Sequence, residues 1–244
     1  MSDSIIFNGF NLSDLVMCRM ERPIMPPTEL ATEQVGGRHG SLFRRTRMQD
    51  YVIPVTVWLR CEDRREVSAL RHQLAALLYT EEPKPLYLPD EPDYYYLAIV
   101  EGDTLLGPIT DDLPTTTINF RVCDPIAYGA AGSNTLSGST RKTITTNGTF
   151  ETRPIITSTT SNTSYWRFRN YTTGEYVEIT PDSIGGELAT GKTVVCDMEK
   201  ELVTLDGTNV GVSILSTFFA LGRTQSLYVQ GGTDTTIEWI ERWI

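Results

Sequence analysis

The sequence has little histidine, and this limits the chemistry it can perform. Only His39 and His72 occur, so a Ser-His-Asp or Cys-His site would have to use one of these two residues. No nucleophile-elbow motif is present anywhere in the chain. His72 lies off the apolar stripe of a predicted helix, which favours exposure to solvent over catalysis. The sequence therefore argues against an enzyme and contains no visible catalytic site.

Cysteine is equally sparse. The four cysteines have neither the spacing of a metal site nor that of a redox motif; they are Cys18, Cys61, Cys123 and Cys196. We interpret all four as small buried apolar residues rather than as disulfide partners. No zinc or EF-hand spacing occurs. The sequence therefore predicts no metal and no cofactor.

Positive charge and long apolar runs are also lacking. The 244 residues carry a formal net charge of −10, and residues 1–128 hold −7 of it, from 12 basic and 19 acidic side chains. A protein that binds nucleic acid or anionic membranes needs a basic surface. No apolar stretch is long enough to cross a bilayer, and no signal peptide is visible. We expect neither phosphate-directed DNA binding nor a membrane partner.

The clearest structural pattern runs from Tyr51 to Val100. Its first ten residues alternate as a strand, with Ile53, Val55, Val57 and Leu59 on one face. A helix follows, whose start is marked by Asp63 and Glu66 and whose apolar stripe is Val67, Leu70, Leu74, Leu77 and Leu78. An acidic, proline-framed turn leads into a strand that begins at Tyr94. This pattern predicts a β domain with one packed helix.

Residues 21–50 differ from the rest of the first half. Three prolines and three glycines predict a long loop, and loops of this length are usually functional. The glycines match neither a dinucleotide nor a P-loop motif. Four arginines form a basic cluster in this acidic chain: Arg38, Arg44, Arg45 and Arg47. Two interpretations remain: a solvated loop, or an arm whose arginines pair with carboxylates of a neighbouring chain.

The second half reads as a separate, all-β domain. Residues 129–140 are small and polar, which predicts a linker between a domain at 1–128 and a domain at 141–244. Seven short strand patterns separated by turn signals then favour a β-sandwich of roughly seven to nine strands. They are residues 155–160, 165–171, 176–180, 193–197, 202–205, 226–229 and 235–243.

Two groups of side chains suggest chemistry but have simpler explanations. The carboxylates Asp90, Glu91 and Asp93 are dense enough for a glycosidase pair, although such turns are usually only solvated. Tyr165 and Trp166 are candidate sugar contacts. Alternating aromatic residues in strands more often pack in a core or across strands.

The order of these motifs resembles the distal tail protein (Dit) family of long-tailed bacteriophages. The resemblance rests on motifs in order over the whole chain, including residues 7–13, 35–40, 86–96, 120–125, 194–199 and 203–207. It implies a mainly β, two-domain virion protein: a tail-tube-like split β-barrel with one packed helix, then a galectin-like or carbohydrate-module-like sandwich. It also implies a hexameric ring that joins the tail tube protein to the tail-associated or fibre protein, while genomic DNA passes through without specific binding.

The resemblance places the protein in the phage tail tip after synthesis in the bacterial cytoplasm. Two alternatives remain open: a carbohydrate-binding host-recognition module, and a tail-tube or tube-terminator protein. The second domain favours the hub over the tube proteins. Exposure of Tyr165 or Trp166 would favour the sugar-binding module.

Overall fold

The computed structural model describes residues 4–59, 64–104, 115–136 and 140–244. It divides into two compact units, residues 1–127 and residues 128–243. Both units are dominated by antiparallel strands, so the prediction of a mainly β fold with one packed helix is confirmed. Within the described residues, no helix has the length and apolar character needed to span a membrane.

In its described part, the first unit contains one antiparallel sheet, one α-helix, a short 3-10 helix (Leu12–Asp14) and a separate hairpin. Helix α1 spans Arg64–Leu78, and the sheet has the strand order β3-β6-β9-β8-β7-β1-β2. The strands of the unit are β1 (Ile6–Phe7), β2 (Phe10–Asn11), β3 (Met17–Met20), β4 (Thr28–Glu33), β5 (Leu42–Met48), β6 (Tyr51–Trp58), β7 (Lys84–Leu88), β8 (Glu91–Glu101) and β9 (Thr115–Val122).

The alternating pattern of β6 determines how the first core is built. Ile53, Val55 and Val57 are completely buried, because alternate side chains of a strand point to the same face. In the neighbouring strand, Phe120 pairs with Ile53 and Ile118 pairs with Val55. Both partners are also buried, so the two strands supply one continuous apolar surface.

Helix α1 covers this unit with its apolar stripe. Val67, Leu74 and Leu78 are buried, whereas His72, on another side of the helix, is exposed as predicted. The proposed N-terminal cap at Asp63 lies outside the described residues. The helix ends at Leu78, before prolines that cannot continue it.

The second unit contains two sheets packed around a common core. One sheet has the order β17-β16-β15-β12-β19-β10, and the other has the order β11-β18-β13-β14. The elements are β10 (Ala127–Leu136), β11 (Lys142–Thr145), β12 (Ile155–Thr160), β13 (Trp166–Asn170), β14 (Tyr176–Ile179), the one-turn helix α2 (Pro181–Ile184), β15 (Thr193–Asp197), β16 (Leu202–Leu205), β17 (Thr208–Asn209), β18 (Thr224–Gln230) and β19 (Gly232–Trp243).

Large side chains from both sheets fill the core of the second unit. Trp166 and Phe168 of one sheet and Ile156 and Ile237 of the other are completely buried in a single cluster. The ring of Phe168 stacks on Phe219, with centroids 5.4 Å apart. The strand patterns of the second half therefore predicted a sandwich correctly.

The structure differs from the sequence interpretation at the proposed linker. Residues 129–136 belong to β10, and residues 137–139 lie outside the described part of the chain. The small residues have a packing role here: a Cβ atom on Gly132 would lie only 2.4 Å from Cε2 of Trp239. Composition alone does not separate such close packing from a flexible connection.

The interpretation of the cysteines is only partly correct. Cys18 and Cys196 are buried, and burial raises the pKa of the Cys196 thiol to about 12. Cys123 is exposed because it follows the last inward residue of β9, so that prediction was wrong. Cys61 lies outside the described residues.

Candidate assembly surfaces

The segment predicted as a loop contains a β-hairpin, which we call the arm (residues 28–48). Its strands β4 and β5 pair with each other and, in the described part of the chain, with no other strand. The prolines precede β4 and the glycines lie in the connection, so neither interrupts a strand. The loop prediction was wrong because it gave the prolines and glycines more weight than the alternating residues of the two strands.

The two faces of the arm differ in chemistry. Leu30 and Phe43 share one face, since Phe43 pairs with Thr32 two residues along from Leu30. Each is 60% exposed. The opposite face has Glu29 directly across from Arg47, an arrangement that favours opposite charges. The arm therefore presents an apolar face and a charged face to solvent.

All four arginines of the predicted cluster lie on the arm and are exposed. Arg38 is in the connecting loop, whereas Arg44, Arg45 and Arg47 are in β5. Arg44 already binds a carboxylate of its own arm, with its Nε atom 2.7 Å from Oε2 of Glu33. The structure thus brings the four residues together on one element. Their pairing with a neighbouring chain remains a prediction.

A network at the base of the arm was missed by the sequence reasoning. Arg22, six residues before the arm, lies 2.9 Å from Oδ2 of Asp90 and 2.6 Å from Oε1 of Glu91. It also donates to the hydroxyl of Tyr96 at 2.7 Å, which itself donates to Glu91 at 3.0 Å. We call these four residues the clamp. Arg22 and Asp90 are 68 positions apart, and no local pattern links them.

The contacts within the clamp shift the pKa values of its residues. The hydrogen bond from Arg22 lowers the pKa of Glu91 despite partial burial. Burial lowers the pKa of Arg22, but the hydrogen bond to Glu91 and the surrounding charges outweigh it, so the net shift is upward. Burial raises the pKa of Tyr96. Burial also raises the pKa of Tyr51, just after the arm, to about 12. Arg22 and Glu91 are therefore both ionised at neutral pH.

This geometry explains the acidic turn without catalysis. A general acid needs a carboxyl group whose pKa is raised, whereas the pKa of Glu91 is lowered. Asp90 and Glu91 both contact the same guanidinium and so serve to anchor it. Among the described residues, no group of histidine, cysteine and carboxylate side chains could hold a metal ion.

The second unit separates the two predicted sugar contacts. Trp166 is 0% exposed and lies in the core, because its position on β13 points inward. The prediction that Trp166 contacts a sugar was therefore wrong. Tyr165 is partly exposed and lines a polar cavity of about 320 Å³ together with Asn162, Tyr228 and Gln230. The guanidinium of Arg167 lies 5.5 Å from the centre of the Tyr165 ring.

Two family models match the chain in order. Residues 10–122 match the phage tail protein RIFT-related domain, and residues 147–243 match the C-terminal domain of the siphovirus-type tail component. This chain belongs to the siphophage distal tail protein family. It is a structural component of the distal tail and baseplate, and it is part of the virion tail.

Two solved phage structures have a similar fold. The crystal structure of the phage SPP1 Dit protein, described as a paradigm of the hub adsorption apparatus in phages that infect Gram-positive bacteria, matches with a TM-score of 0.81 and 16% identity over 100% of both chains. A chain of the phage P2 baseplate in its activated, calcium-bound conformation matches with a TM-score of 0.54 and 9% identity, over 98% of this chain and 97% of that one. No curated protein matches.

Proposed function

We propose that this chain forms a hexameric ring that joins the tail tube protein to a tail-associated or fibre protein. The observation that carries the proposal is the arm. An isolated two-stranded hairpin is at best marginally stable in water, yet β4 and β5 have no further strand partner within the described residues. Contact with a second subunit would supply the missing support.

The arm fits a head-to-tail contact. In a closed ring each subunit uses two different patches, one of which must reach the next subunit. Leu30 and Phe43 offer apolar area to bury, and the charged face offers Arg45 and Arg47 for pairing with carboxylates. The clamp holds Arg22, six residues before the arm, against Asp90 and Glu91, and we expect it to orient the arm before assembly.

The ring would also conduct the genome. The first 128 residues hold most of the net negative charge, and carboxylates on the inner wall would repel phosphates, so that DNA passes without specific binding. The protein acts as a scaffold rather than an enzyme, is made in the host cytoplasm and needs no membrane. A tail-tube or tube-terminator protein would need the sandwich unit less than a hub protein would.

The arm is tested by reversing its charge. In the double variant Arg44→Glu, Arg45→Glu, the two introduced glutamates would lie on the same hairpin as Glu29 and Glu33, and these four carboxylates would repel carboxylates of the neighbouring subunit. We expect loss of the ring, measured as molar mass by light scattering and as particle shape in negative-stain images, with the tail tube protein present.

The matched control is Arg44→Lys, Arg45→Lys, which keeps both positive charges and should still assemble. A charge-reversed protein that forms rings as the wild type does would contradict the role of the arm. A wild-type protein that stays monomeric with the tube protein would contradict the ring itself.

A further inference from the structure

The outer face of the four-stranded sheet carries an unusual set of residues, which we call the Tyr–Arg face. It consists of Arg141, Arg167, Arg169, Tyr171, Tyr176 and Tyr228. Strand register places Arg169 between Tyr228 and Tyr176 in one row across the sheet. The alternate residues, such as Phe168 and Val229, point into the core. The face is therefore a consequence of the alternation along β13, β14 and β18.

The side chains of this face stabilise one another by stacking. The guanidinium of Arg141 lies 3.6 Å from the centre of the Tyr171 ring, and that of Arg169 lies 4.8 Å from the same centre. Tyr171 meets Tyr228 edge to face at 6.1 Å. Arg167 lies 4.9 Å from the ring centre of Tyr176. Such cation–π contacts fix the arginine side chains before any partner arrives.

Two of these arginines have no hydrogen-bond acceptor among the described residues. Arg167 binds Glu178 at 2.5 Å, so its charge is compensated. For Arg141 and Arg169, the described part of the structure contains neither an ion pair nor a hydrogen bond to the side chain, and the Nε atom of Arg169 is buried without a partner. An acidic protein thus holds two ordered, uncompensated guanidinium groups side by side.

The same stacking argues against a sugar or a nucleic acid as ligand. Sugar rings bind to the open faces of aromatic side chains, but guanidinium groups lie over the rings of Tyr171 and Tyr176. Three arginines in a chain of net charge −10 do not make the extended basic surface that a phosphate backbone requires. Tyrosine and arginine are instead the residues enriched in protein–protein hot spots.

We propose that the Tyr–Arg face docks an acidic surface of another tail protein, whose carboxylates pair with Arg141 and Arg169. Charge complementarity carries this choice, because a bidentate carboxylate matches the guanidinium fork. The inference rests on the proposed hub function, in which the arm forms the ring. The sandwich is then free to hold the next component of the tail.

The test uses phage particles supplied with variant protein. The double variant Arg141→Glu, Arg169→Glu replaces both unpaired cations with anions. The control, Lys192→Glu with Lys200→Glu, makes the same charge change around β15, on the other sheet, where both lysines are paired with aspartates. Purified tails are analysed by quantitative mass spectrometry, and a photo-crosslinking amino acid at position 228 identifies the neighbour.

We expect the Arg141 and Arg169 variant to remain on the tail tube while one other tail protein is lost about tenfold or more; the control should keep the full set of tail proteins. The crosslink should join an acidic segment of that lost protein. Complete tails, or a crosslink to a second copy of this chain, would overturn the inference while leaving the hub function intact. Complete tails that no longer bind host wall glycan would also overturn the inference. If the wild-type protein is absent from tails, the proposed function fails instead.

Discussion

At the scale of single residues, Arg22 is the side chain that links distant parts of the first unit. It contacts Asp90, Glu91 and Tyr96, and Tyr51 lies within its electrostatic reach. These contacts join the chain just before the arm to the start of β8. A buried charge needs such compensation, because an unpaired guanidinium would be costly to desolvate.

The clamp makes stability depend on pH. Because the pKa of Glu91 is lowered from its ordinary value of 4.5, its carboxylate stabilises the folded state above that value, and the contribution is lost as the pH falls through the lowered pKa. We predict that Glu91→Gln reduces the free energy of unfolding by roughly 1 kcal/mol at neutral pH, a figure kept small because the side chain is partly solvated. Urea denaturation at neutral pH measures it.

The control for this prediction is Asp93→Asn, which neutralises a nearby exposed carboxylate outside the clamp. It should leave stability nearly unchanged. The difference between Glu91→Gln and wild type should shrink when denaturation is repeated well below pH 4.5. A constant difference across that pH range would show that ionisation of Glu91 is not its cause.

At the scale of elements, the arm lies apart from the core of its own unit. Its residues contribute little to the core of their own unit, since nearly all of them are exposed. The same exposure makes the apolar face available to a neighbour. An element with few buried contacts can take part in an interface while the stability of its own unit stays nearly the same.

We predict that Leu30→Ser with Phe43→Ser weakens assembly but not folding. Each side chain is 60% exposed, so the free energy of unfolding should change by no more than about 0.5 kcal/mol. Ring formation with the tube protein should fall, because these residues would lose the apolar area buried between subunits. Thermal denaturation and light scattering measure the two effects separately.

A matched control removes two exposed aliphatic side chains elsewhere. Ile214 and Leu215 are 98% and 70% exposed on the second unit, so Ile214→Ser with Leu215→Ser causes a similar loss of surface hydrophobicity. This control should assemble normally. Equal loss of assembly in both variants would point to a general effect of surface polarity.

At the scale of the whole molecule, the two units have different charge. The first is strongly acidic, whereas the second carries the Tyr–Arg face, with three arginines and one glutamate in adjoining positions. We expect this division to serve the proposed hub, in which one unit would surround DNA and the other would bind protein. Net charge by itself gives information about binding partners and not about the fold.

We predict that the inner wall of the assembled ring carries more carboxylates than basic side chains. Like charges on the wall and on the phosphates keep the genome from binding as it passes. A cryo-electron microscopy map of isolated tails, into which this chain is built, measures the balance directly. A wall rich in lysine and arginine would contradict the prediction.

The sequence by itself determined the features that depend on local periodicity. Alternation in β6 and the stripe from Val67 to Leu78 predicted the first unit, and seven strand patterns predicted the sandwich. Backbone geometry fixes a period of two for strands and about 3.6 for helices, so these features are visible without any long-range information. The motif order also pointed to the family.

Only the tertiary structure decided the features that depend on distant partners. Arg22 meets Asp90 and Glu91 across the sheet, Gly132 packs on Trp239, and Trp166 turns inward while Tyr165 faces solvent. The arginines around Tyr171 come from segments far apart in the chain, and their lack of an acceptor among the described residues is visible only in three dimensions. Each of these contacts depends on which strands become neighbours. Pairing between strands that are tens of residues apart cannot be predicted from the local pattern of a single chain.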